Sequence, residues 1–279
     1  MVISIKTNTS ALVALQQLAA NNKELDVIQD RVSTGLKIRS ARDDATSFSV
    51  AQKQRADLDA YDAVGQSVQR GINVLDISLE AMKEISNLLI DMKAKAVLAA
   101  NPTLTPASRA MIDADYQAYV SQITTIINSA TFDGFNLISK DPVVPATDDM
   151  TILAEPTANP ALSITVPAIN VKAITSALLG NVSTLAGATA EMTVLETVSG
   201  ALSSAMAVMG GNLKRLETHS GFVAKLQDAL TIGIGNLVDA DLTAESARLK
   251  SVQIQQQLST QSLQIANSRP QTILTLFQT

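Results

Sequence analysis

Four charged side chains crowd six residues, Arg39 to Asp44, in the stretch RSARDDATSFSVAQ: Arg39, Arg42, Asp43 and Asp44. Neighbouring carboxylates can share general acid and base work, but only when both reach one substrate atom. Adjacent residues on a helix point about 100° apart, so Asp43 and Asp44 would not converge. As acids in the first turn of a helix beginning near Ser40 or Ala41, they would instead favour the positive end of its dipole. Capping and local ion pairs account for the two acids, but not for two arginines at the same place.

The other residues able to do chemistry are few. His219 is the single histidine, with Lys214 and Glu217 nearby. It falls on a seam position of a long helix-like run, as does Asn212 one heptad earlier, and both read as polar residues that set register. The sequence contains no HExxH, P-loop or GxGxxG-to-helix pattern, and without cysteine it has no thiolate nucleophile or common zinc site. Asn8 and Asn181 begin N-x-[ST] triplets, which short patterns produce by chance. The residues therefore point to no catalytic, cofactor-binding or metal-binding set, and none is expected.

Composition narrows the class further. Of 279 residues, 46% are hydrophobic and 3% aromatic, with no Trp and a net charge of −5. That is ample apolar material for a core. An acidic chain lacks the basic face that neutralises phosphates, so neither nucleic acid nor an anionic membrane is an expected partner. The start MVISIKTNTSALVAL has no continuous apolar segment and no small-residue cleavage site, so no cleaved signal peptide is expected.

Elements must carry these residues, and apolar spacing of 3 and 4 recurs along most of the chain, the mark of helices that bury a narrow seam. The longest case runs Leu195, Val198, Leu202, Ala205, Met209, Asn212, Leu216, His219, Val223, Leu226, Leu230. At about 1.5 Å per residue that is a rod of roughly 50 Å. A second seam reads Leu75, Leu79, Met82, Ile85, Leu89, Met92, Ala96, Ala99, and a third Ile112, Tyr116, Tyr119, Ile123, Ile126, Ala130. The third should open with Thr105 as cap and Pro106 at the first helical position, so rods two and three form an antiparallel hairpin.

From Thr131 to about Gly187 the pattern changes. Five of the eight prolines fall here, with the β-like runs MTILAE and LSITVPAINV, which predict a small strand-and-loop insert. Asp133-Gly134 in ATFDGFNLI predicts a tight turn at its start.

The two ends differ from an ordinary surface helix. Thr7 to Asn22 and Ser251 to Ser268 contain no charged residue, yet both are helix-patterned through Leu12, Leu15, Leu18, Leu25, Ile28, Val32 and through Ile254, Leu258, Ile265. One account is that two terminal helices pair within a monomer. The account favoured here is that both ends are adhesive, staying loosely ordered in a monomer and burying surface only against neighbouring copies.

At this point the sequence resembles a known family. VSTGLKIRSARDDATSFSVAQ is similar to the hallmark of bacterial flagellins, and so are ISIKTNTSALVALQQL, QRGINVLDISLEAM, FDGFNLI and the end IANSRPQTILTLFQT. The match covers about the first 140 and the last 90 residues, in the form of a short alphaproteobacterial flagellin. The resemblance implies a mostly α fold: a long-helix coiled coil and bundle with paired terminal helices and a small β-containing outward insert.

It also implies a layout and partners. Residues 1–40 and 239–279 would form an inner coiled-coil domain, 41–138 and 189–238 a helical core domain, and 139–188 the variable insert. Leu12, Leu15, Leu18, Leu25, Ile254, Leu258, Ile265, Leu276 and Phe277 would pack the inner coiled coil. Arg39, Arg42, Asp43 and Asp44 would sit at an intersubunit joint. The implied function is polymerisation into an extracellular motility filament after type III export. Partners would be further copies, other flagellin paralogues, cap and hook-associated proteins and an export chaperone. A hook–filament junction protein or a helical secreted effector are the rival readings. Asp91 and Lys95 stand where flagellins sensed by the Toll-like receptor tend to carry arginine and leucine, which implies evasion of that receptor.

Overall fold

The computed structural model describes residues 8–139, 149–157 and 163–276. Six α-helices and one two-stranded sheet follow in the order α1 (Thr9–Thr34), α2 (Ala45–Ala99), α3 (Pro106–Ser129), β1 (Met150–Ile152), β2 (Ile164–Val166), α4 (Val171–Thr175), α5 (Leu185–Val238) and α6 (Leu242–Leu276). A 3₁₀ turn, Ser176–Leu179, follows α4. The mostly α class with a small β insert is thus the fold. The chain divides into two compact units, residues 1–56 with 230–279, and residues 57–229.

In the second unit, α2 buries an unbroken 3–4 seam: Val64, Val68, Leu75, Ser78, Met82, Ile85, Leu89, Met92, Ala96 and Ala99, with Gly71 in step. Ser78, not Leu79, occupies the middle of it. It is tolerated because its hydroxyl donates to Val74 O at 2.8 Å, so no buried polar group is left unpaired. Helix α5 buries Leu195, Val198, Leu202, Ala205, Met209, Leu216 and Val223 in the expected order. The Lys93–Glu196 ion pair and the approach of Gly65 to Val223 show α2 and α5 running antiparallel. By length and composition α5 is apolar enough to cross a membrane. Its seam is instead occupied by the core it shares with α2.

The hairpin of α2 and α3 forms as its turn residues dictate. Thr105 Oγ1 accepts from Ser108 N at 3.1 Å with Pro106 behind it. Arg109, buried, donates to Ala99 O at 2.8 Å and Asn101 O at 3.0 Å, and so closes the carbonyl end of α2. Asp133 and Gly134 both take positive φ, 51° and 83°, and Phe132 and Phe135 exchange two backbone hydrogen bonds around them. That is the geometry a two-residue hairpin requires.

The insert pairs Met150 with Val166 and Ile152 with Ile164, antiparallel. Ile152 is buried against α2 at Gly71, where a Cβ would overlap its Cδ1 and lie 3.0 Å from its Cγ1. Glycine is required there by close approach, not by backbone conformation. His219 has a similar role. Its Nε2 donates to Ala154 O at 3.1 Å, so it ties α5 to the insert, while Asn212 only bonds back to Val208 O of its own helix. Neither makes the seam-to-seam contact expected of a register-setting residue.

Candidate subunit interface

The first unit carries the charged cluster and both ends. Helix α1 stops at Gly35, whose φ of 73° forms a left-handed cap with its N–H on Arg31 O. The following residues lie beside the α5–α6 link: Lys37 N and Ile38 N both donate to Val238 O, and Ala240 N to Gly35 O. Asp241 then caps α6 by accepting from Thr243 N and Ala244 N.

Between α1 and α2 the four charged residues sort into separate roles. Helix α2 starts at Ala45, later than Ser40 or Ala41, so Asp43 and Asp44 precede its first turn. Asp44 accepts from Thr46 N, Ser47 N and Ser47 Oγ, the work of an N-cap. Asp43 accepts from Arg39 N, Ser40 N and Ser40 Oγ, which folds the turn before it. These hydrogen bonds hold both carboxyls below the ordinary aspartate value: for Asp43 chiefly the Arg39 N–H, for Asp44 chiefly the Ser47 hydroxyl. Arg39 pairs with Asp30 of α1 at 3.0 Å within the chain. Arg42 is exposed and has no ion pair among the described residues.

Helices α1 and α6 pack antiparallel. Asn8 Nδ2 donates to Ala266 O, Gln256 Nε2 to Asn22 Oδ1, and Arg248 and Arg31 pair with Glu24 and Glu245. The inward residues of α1 are Ala11, Ala14, Leu18, Asn21, Leu25, Ile28 and Val32, a 3–4 repeat. Those of α6 are Glu245, Leu249, Val252, Gln256, Ser259, Leu263 and Ala266, again 4–3. Leu18 and Leu25 are among them. Leu12, Leu15, Ile254, Leu258 and Ile265 are not: each is more than half exposed. The physical reason is register. Leu12 and Leu15 each sit one residue past a seam position, and Ile254, Leu258 and Ile265 two past, so they turn onto other faces. Phe277 and the side chain of Leu276 lie outside the described residues.

Large apolar side chains mark only half of this inner seam. Its spacing through Ala11, Ala14, Asn21 and Ser259 was present, but small and polar side chains carried it. Asp91 is exposed on α2, and Lys95 bonds Asp115 of α3, a contact that raises its pKa and pins the hairpin. Among the described residues no three His, Cys, Asp or Glu side chains come together to hold a metal ion. An open groove of about 300 Å³ is lined by Ile174, Thr193, Val194, Thr197, Val198 and neighbouring alanines, with no titratable group.

The terminal helices α1 and α6 pair and still present apolar faces, an arrangement that fits a structural protein. Family models support this at both ends: bacterial flagellin N-terminal helical region over residues 5–141 and bacterial flagellin C-terminal helical region over 192–277. The chain belongs to the bacterial flagellin family, which makes it a structural subunit of the flagellar filament, an extracellular appendage.

Flagellin FljO of Caulobacter vibrioides is 37% identical over 99% of this chain and 98% of its own length. Flagellin FljN of the same organism is 40% identical over the same shares, and a flagellin of Brucella melitensis 35% over 99% of each. Among solved structures, Bacillus cereus flagellin is similar with a TM-score of 0.51 and 25% identity, over 56% of this chain and 88% of that one. A putative flagellar hook-associated protein from Vibrio parahaemolyticus, at 14% identity and TM-score 0.57 over 71% of this chain and 100% of that one, shares the fold alone.

Proposed function

We propose that this chain assembles by laying the outward faces of α1 and α6 against further copies of itself, without catalysing a reaction. The observation that carries the reading is the mismatch on α6: its inner seam uses Gln256, Ser259 and Ala266, while Ile254, Leu258 and Ile265 stay 57%, 56% and 62% exposed. A self-sufficient pair would bury the larger residues, since each fully buried aliphatic side chain is worth about 1.5–3 kcal/mol. With Ala247, Ser251, Gln261 and Ser268, the exposed three continue a second 3–4 repeat free of charge, suited to another helix. Leu12, Val13 and Leu15 offer the same on α1.

Residues 1–40 and 239–279 then act as the packing domain, 41–138 and 189–238 as the helical core, and 139–188 as the variable insert. Paralogues, cap and hook-associated proteins and an export chaperone would engage the same apolar ends. Arg39, Arg42, Asp43 and Asp44 serve the intersubunit joint, with Arg42 as the side chain left for a neighbour. The test is addition of purified chain to filament seeds: growth supports the reading, and a chain that stays soluble contradicts it.

Asp91 and Lys95 are proposed to weaken sensing by the Toll-like receptor. Support comes from the exposed acid at 91 and from Lys95 being held by Asp115, so that position 95 presents no free aliphatic chain. The purified monomer should give weak signalling in a receptor reporter assay, and strong signalling would sink the proposal.

A further inference from the structure

The middle layer of the α1–α6 seam is polar, and its side chains pair with one another in the register observed. Asn21 is 3% exposed and Ser259 9%, and Asn21 Nδ2 donates to Ser259 Oγ at 2.9 Å. Asn21 Oδ1 in turn accepts from Gln17 Nε2 at 3.0 Å. Leu18, Leu25 and Ile28 flank this layer along α1, and Val252 and Leu263 along α6.

Slipping α6 along the seam strands the amide. A slip of one heptad sets Asn21 opposite Val252 or Ala266, neither of which has a side-chain acceptor. Turning α6 to present its Ile254, Leu258 and Ile265 stripe would instead set Gln261, which carries its own amide, where Ser259 stood, so the layer discriminates register and not face. A buried amide left without its partner is penalised, which is how one polar residue in an apolar seam rejects alternatives.

We infer that Asn21 is a specificity-determining residue for self-assembly. It selects the register in which α6 docks on α1 of the same chain, and so fixes where along the pair the larger apolar stripe meets another copy. Only the identity of that other copy rests on the filament reading above.

The chain has no cysteine, so spin labels can be placed at will. Asp26→Cys and Lys250→Cys, both exposed, report the separation of α1 and α6 by pulsed electron resonance. It is measured in the soluble chain and in seeded filaments diluted with unlabelled chain. The natural pair should give one distance. Asn21→Leu should add or shift to a second, with a heptad slip displacing one helix by about 10 Å along the other. The exchanged pair Asn21→Ser with Ser259→Asn, which keeps a donor and an acceptor in the layer, should restore the single distance. If Asn21→Leu keeps the natural distance and grows filaments as well as the natural chain, the inference is wrong. If Asn21→Leu does not enter filaments, the exchanged pair decides, by incorporating with the natural distance or by failing to. Failure of the natural chain itself to enter filaments would count against the filament reading, while the soluble-chain comparison still judges Asn21.

Discussion

Asp43 and Asp44 look interchangeable in a sequence and are not. Asp44 caps α2, while Asp43 folds the turn that leads to it, and the arginine beside them is committed to Asp30. Because both carboxyls are held below the ordinary value of 3.8, their support for the joint is complete above about pH 4 and is lost as pH falls through the lowered values. Replacing Asp43 and Asp44 together by Lys removes both acceptors and sets cations at a helix start. Filament growth should fall sharply while circular dichroism shows the helices largely retained, since α2 is packed along its length beyond the joint. Unchanged growth with unchanged melting would show that the cluster serves neither folding nor assembly. The sequence made the cluster conspicuous, but side-chain roles in a turn depend on where the next helix begins. That point moved by several residues once Asp44 was seen to cap.

Elements were more legible than faces. Three long seams were readable because apolar residues repeat at 3 and 4 in α2, α3 and α5, and burial follows the repeat except where Ser78 takes the place of Leu79 and Ile127 that of Ile126. The α1–α6 seam was legible on α1 through Leu18, Leu25, Ile28 and Val32, but its other positions there, Ala11, Ala14 and Asn21, do not stand out by size. The seat of the insert was not legible at all: Gly71 sits inside a helix with no turn signal, and only the approach of Ile152 explains it. Gly71→Ala should gain about 1 kcal/mol in helix propensity and lose about 1–3 kcal/mol to overpacking. The expected net is a chain destabilised by up to about 2 kcal/mol in urea unfolding, with Ile152→Val on the same background recovering most of it. A Gly71→Ala chain at least as stable as the natural one would mean that Ile152 moves aside freely.

At the scale of the molecule, the terminal helices are ordered and paired within one chain, against the expectation that they order only on neighbouring copies. The seam that pairs them mixes Leu18, Leu25, Ile28, Leu249, Val252 and Leu263 with small and polar residues, and leaves Leu12, Leu15, Ile254, Leu258 and Ile265 exposed. Flagellin relatives match along the whole length of the chain. The central claim is that assembly uses what the single chain leaves uncovered on α6. It is tested most directly by electron microscopy of seeded growth, comparing the full chain with one ending at Gln264, which lacks Ile265, Ala266 and everything after. The full chain should extend the seeds, and the shortened chain should keep its helical circular dichroism but add nothing. Normal filaments from the shortened chain would contradict the account.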